Sequence, residues 1–141
     1  MSILMGLFEP AQIKKASFED IQTAIKYKEK YCIINTLPST EQDCLIKNTV
    51  SIQVEETIIN DMLTKYEAKD MKIIIYGKHT NDSTVDVKYK QLRGLGFRDV
   101  YVYVGGMFEW MLLQDIYGQE EFPTTKRVLD ILRYKPTKMV S

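Results

Sequence analysis

Histidine is almost absent from this chain: His79 is the only one among 141 residues. That excludes a metal site built on several histidines and any mechanism needing two imidazoles. Cysteine is scarce as well, with only Cys32 and Cys44, too few for a disulfide scaffold or a zinc site of four clustered cysteines. We therefore expect neither a metal nor a cofactor. Net charge is missing altogether, since 19 basic side chains face 19 acidic ones. The electrostatic footprint of a nucleic-acid or anionic-membrane binder is thus not there. No apolar run approaches the roughly 18 residues a membrane helix needs, and MSILMGLFEP lacks a basic leader followed by a long apolar core. The expectation is a soluble, cytoplasmic protein without nucleic-acid or membrane partners.

What is present is organised around the stretch Met71–Ser83, MKIIIYGKHTNDS. Ile73, Ile74, Ile75 and Tyr76 run without alternation, which predicts a central parallel strand covered on both faces. A polar loop follows, and Ser83 with Asp86 three residues on approximates a capping box, so a helix is expected to begin there. Ligands of open α/β sheets collect at the carboxyl ends of strands, and free N–H groups at a helix start favour anions. The loop Gly77, Lys78, His79, Thr80, Asn81, Asp82 and Ser83 is therefore the candidate ligand-binding loop, with a small anion as one candidate ligand.

The length suits one domain with a real core. Residues 1–10 read as an N-terminal arm ended by Pro10. Gln12–Lys15 reads as a short edge strand, its lysines suited to a sheet margin. Ser17 with Asp20 caps a helix over residues 17–30 that buries Phe18, Ile21 and Ile25. Tyr31–Ile34 is the next strand, and Cys44–Ile52 holds a short extended segment. Glu55–Tyr66 reads as a helix with Ile58, Ile59, Met62, Leu63 and Tyr66 on its apolar side. Ser83–Leu95 is a helix turning Val85, Tyr89, Leu92 and Leu95 inward, ended by Gly96. Val100–Val104 is the last strand, Tyr101 and Tyr103 alternating with valines, and Gly105-Gly106 permit a sharp turn and a close backbone approach. The following helix, MFEWMLLQDIYG, is apolar around nearly its whole circumference and needs cover on more than one side. In the tail, residues 119–141, Val128, Leu129, Ile131, Leu132 and Tyr134 stand at helical spacing and predict a helix able to supply that cover. The fold class is α/β: a mostly parallel sheet of about five strands with helices on both faces.

The order of these pieces resembles the rhodanese-like domains, which include sulfurtransferases and the catalytic domains of certain cell-cycle phosphatases. The resemblance covers residues 11–118. It is carried by strand YCIINTL, the nine-residue piece CLIKNTVSI, strand IIIYG and a capped helix ending LGF, then VYVYVGG followed by Trp110. The stretch EFPTT together with GGMFEWMLLQDIYG looks like a degenerate subgroup of large DNA viruses and some protists. Against the family pattern, Gly77 stands where active members carry the cysteine nucleophile, and Asp82 where they carry an anion-binding arginine. Asn35, Leu37 and Leu45 replace the polar residues of neighbouring loops. A loop cysteine works because backbone N–H groups and a helix start stabilise its thiolate. Glycine offers no nucleophile.

Each remaining candidate has a plain reading beside a functional one. His79 is an exposed loop histidine or a base; Lys78 is a solvated lysine or the neutraliser of an anion. Cys44 is a packed thiol or a reactive one at the sheet's carboxyl edge. Asn35, Cys44, Gly105, Gly106 and Trp110 are expected to border the pocket. The resemblance and its departures imply a non-catalytic rhodanese-like domain with no catalytic residues, binding a protein partner as an interaction or regulatory module. An atypical sulfurtransferase and an oligomeric structural protein, self-associating as a homo-oligomer through Met107–Tyr117 and the tail, are the alternatives.

Overall fold

The computed structural model describes residues 12–65 and 70–140; the expected arm 1–10 and Tyr66 lie outside them. Four parallel strands form the sheet: β1 (Lys15–Ala16), β2 (Tyr31–Asn35), β3 (Lys72–Tyr76) and β4 (Val100–Tyr103), in the order β1-β4-β3-β2. The isoleucine run of β3 is central, as its composition predicts. Ile73, Ile74, Ile75 and Tyr76 are at most 2% exposed, and β3 pairs Ile33↔Ile74 on one side and Ile74↔Tyr101 on the other.

Helices α1 (Phe18–Lys26), α2 (Glu55–Thr64), α3 (Thr84–Gly94) and α4 (Gly106–Tyr117) cover both faces. Successive strand residues point to opposite faces, and the sequence uses this. Ile33, Ile74, Tyr76 and Tyr103 join α1 and α4 in one core cluster, whereas Cys32, Ile34, Ile73, Ile75, Val100 and Val102 join α2 and α3 in the other. Helix α1 starts at the expected capping box, the Ser17 N–H donating to the Asp20 carboxylate at 2.8 Å. Helix α3 is terminated at Gly96, whose φ of +105° an L side chain adopts only with strain. Leu63 and Leu95, expected inward, are 43% and 46% exposed.

Three expectations are corrected. Among the described residues the sheet has four strands, not about five, because Cys44–Ile52 contributes only isolated bridges, Ile33↔Thr49 and Ile46↔Thr124. A turn closed by Thr49 N–H to the Ile46 carbonyl, with Asn48 at φ +68°, breaks that segment. Residues 119–140 form no α-helix, only a 3₁₀ turn at Ile131–Tyr134. Helix α3 is not capped by the Ser83 side chain.

The tail nevertheless supplies cover. Phe122 and Tyr134 are buried in the same cluster as Trp110, and Phe122 meets Trp110 edge-on at 5.0 Å. Its backbone pairs with the segment after β2: Thr125 N–H donates to the Leu45 carbonyl at 2.8 Å, and Lys47 N–H to the Pro123 carbonyl at 3.1 Å. Donors spent on a distant segment are unavailable for a helix.

Candidate functional site

The loop between β3 and α3 is built around a carboxylate of its own. Asp82 Oδ2 accepts from the Lys78 N–H at 2.9 Å, and Oδ1 accepts from the Thr84 N–H at 3.1 Å, with the Thr84 hydroxyl 2.5 Å away. Asp is a good acceptor for N–H groups two residues on and for a helix start, so Asp82 does what was expected of Ser83. Two backbone donors of the loop, those of Lys78 and Thr84, thus meet an internal anion. Gly77 is buried at the head of the loop, and a Cβ there would lie 2.6 Å from Asp82 Oδ2 and 2.5 Å from Val85 Cγ2. The space a nucleophilic side chain needs is taken.

Two further polar side chains of the loop are also engaged. Lys78 Nζ pairs with Glu41 at 3.2 Å, so its charge is met by a carboxylate from the 3₁₀ turn Ser39–Glu41. His79 is partly buried, and its Nδ1 accepts the Asn81 N–H at 3.1 Å. Gly106, at φ +65°, brings the start of α4 against the loop; a Cβ there would lie 2.8 Å from the Gly77 carbonyl oxygen and 3.0 Å from His79 N. Gly105 precedes it beside the Glu109 carboxylate. Met107 and Phe108 donate their N–H groups to the Gly77 and Lys78 carbonyls, each at 2.9 Å.

The remaining expected border residues have partners of their own. Asn35 is buried at the end of β2, where its Oδ1 accepts from the Leu37 N–H at 3.0 Å and from Gln42 Nε2 at 2.7 Å. It holds a turn. Cys44 is fully buried beneath the tail, its thiol donating to the Lys126 carbonyl at 3.1 Å, and it lines no part of the cleft beside the loop. Trp110 is 0% exposed, its indole N–H donates to the Pro123 carbonyl at 3.2 Å, and Tyr103 and Phe122 pack edge-on against it. A large aromatic so enclosed serves packing. Cys32 lies inside β2, where burial, with Glu55 adding to it, pushes its thiol up to about 12; it is no nucleophile at neutral pH. Burial, reinforced by Glu109, likewise raises Tyr103, whose hydroxyl donates to Glu109 at 2.7 Å. The roles of Glu41 and Glu109 were not read from the sequence, because nothing local links them to Lys78 and Tyr103. That of Asp82 had a signal, the Asp-Ser-Thr run before a helix.

A family model for the rhodanese-like domain matches residues 13–113. Among solved structures, a Bacillus halodurans protein is 24% identical, with a TM-score of 0.55 over 70% of this chain and 72% of that one. The rhodanese-like domain of an Anabaena protein is 20% identical at TM-score 0.55, covering 92% and 89%. A single-domain sulfurtransferase of Saccharomyces cerevisiae is 15% identical at TM-score 0.55, covering 78% and 98%. At these identities the likeness speaks for the fold alone. No curated protein sequence matches. Among the described residues no helix is long and apolar enough to cross a membrane. A parallel sheet whose central strand opens into a helix-starting loop, matched by the family over most of its length, makes this chain a member of the rhodanese-like domain family.

Proposed function

We propose that this chain is a non-catalytic rhodanese-like domain that acts as an interaction or regulatory module. One observation carries the reading: the Asp82 carboxylate holds the Lys78 and Thr84 N–H groups, so two of the amides available to an external anion are taken from within. Gly77 supplies no thiol in its place. The loop keeps its form while its reacting groups are gone, which suits recognition of a protein partner. Both thiols are free and buried, in keeping with a reducing compartment, and we assign the protein to the cytoplasm. Its likeness to a degenerate viral and protist subgroup rests on the stretches 105–118 and 121–125.

The test is sulfur transfer from thiosulfate to cyanide. We expect no rate above that without protein. A measurable rate, lost when Cys44 or Cys32 is changed to serine, would overturn the reading in favour of an atypical sulfurtransferase. Gly77→Cys alone should stay silent, because its Cβ needs the space that Asp82 and Val85 fill. Gly77→Cys with Asp82→Arg removes the carboxylate that occupies the loop and is the variant in which transfer can return. A second reading, self-association, draws on Leu112, Ile116 and Tyr117 of α4, which are 42%, 70% and 63% exposed. Sedimentation as a monomer at micromolar concentration disposes of it.

A further inference from the structure

A cleft of about 400 Å³ lies beside the loop, between β4, the β1 margin and the start of α3. Its apolar lining comes from Ile13, Val85, Val102 and Val104. These residues belong to the face of the sheet that α2 and α3 cover, and at this margin the cover thins: Ile13 and Val104 stay only partly buried. The cleft is therefore an open end of the core, aliphatic where these residues line it and polar along the loop 79–83.

Its charge has the opposite sign from that of a site for anions. The helix start that would attract an anion is already met by the Asp82 carboxylate. Asp86, in the first turn of α3, is exposed, lines the same cleft and pairs with no cation among the described residues. The one lysine lining the cleft, Lys15, stands on the β1 wall, which leaves the α3 wall acidic.

We propose that this cleft receives a lysine or arginine side chain presented by the protein partner. The chemistry matches along the length of such a side chain, with its methylene stem on Val85, Val102 and Val104 and its cation beside Asp86. The proposal rests on the non-catalytic reading above and names the partner chemistry of that same loop.

Amide NMR shifts of the full-length chain test it, with acetyl-Gly-Arg-Gly-amide, acetyl-Gly-Glu-Gly-amide and sulfate as probes. We expect saturable shifts at 79–86 and 102–104 with the arginine peptide only. Asp86→Lys should weaken that binding about fivefold, the effect of an exposed charge pair removed and reversed, and Asp86→Asn should weaken it about twofold. No saturable shift, an equal response to the glutamate peptide or to sulfate, or affinity unmoved by both variants would overturn the proposal. So would binding that appears only after residues 1–11 are removed, which would give the cleft to the chain's own N-terminal segment. Sulfur transfer would fell the non-catalytic reading itself; a silent peptide titration without sulfur transfer fells only this inference.

Discussion

The loop 77–83 and the segment 43–47 are held by opposite means. In the loop the backbone donors are met locally: Asp82 reaches back four residues to Lys78 and forward two to Thr84, and His79 holds Asn81. In the segment the bonds are distant, with Leu45 bonded to Thr125, Cys44 to Lys126 and Asp43 to Arg133, 80 to 90 residues apart in sequence. A loop that satisfies its own donors keeps its shape when reactive groups change around it. A segment tied to a distant tail keeps its shape only while that tail is docked, and this tail lies beyond the family match, which ends at residue 113.

The largest effect that would sharpen this contrast is on the tail side. Tyr134 is fully buried, and its hydroxyl has no hydrogen-bond partner among the described residues. Tyr134→Ala should cost about 3 kcal/mol or more of stability through the cavity it leaves, while Tyr134→Phe should be close to neutral because no bond is lost. Denaturant midpoints measure both, and thiol labelling of the alanine variant should find Cys44 newly reactive. If Tyr134→Ala left stability and Cys44 labelling unchanged, the tail would not be what holds the segment.

A middle-sized effect is expected in the loop. Asp82→Ala strips the acceptor from the Lys78 and Thr84 N–H groups and should cost about 1–2 kcal/mol, as losing a helix cap does. Local hydrogen exchange at 78–84 should rise while Cys44 stays protected; coupled exposure of Cys44 would break the distinction between the two regions.

The smallest effect concerns the exposed pair of Arg133 with Asp43, 2.6 Å apart. The hydrogen bond from Arg133 is the main reason the Asp43 carboxyl is held below its ordinary range. With a folded-state pKa depressed in this way, the pair's contribution is complete above the unfolded carboxylate range and is lost as pH falls through the folded value. The difference in Tm between the native chain and Arg133→Gln should therefore be small at neutral pH and vanish in acid. A gap that widens on acidification would assign the bond a different origin.

How much of this was readable in sequence follows from the range of the interactions. The strand Ile73–Tyr76, the capping box at Ser17, the terminating Gly96 and the close approach at Gly106 each depend on a few adjacent residues, and each is found where the pattern put it. The tail was misread because Val128, Ile131 and Tyr134 do stand at helical spacing, yet Thr125 and its neighbours spend their backbone groups on residues 45–47. Local propensity has no access to that pairing. The residues that enclose Trp110, Phe122 and Pro123, come from the same docked tail. At the site, the missing nucleophile was legible in Gly77. The sequence also marked Asp82 as unfavourable to an anion, but only the coordinates reveal it as the loop's own ligand.

One consequence concerns the bonds that run from α4 back to the loop. That helix begins without a side-chain cap, and two of its opening amides end instead on the Gly77 and Lys78 oxygens. The loop 77–83 is thus a foundation stone for the last helix. Its contour has an architectural duty independent of any chemistry.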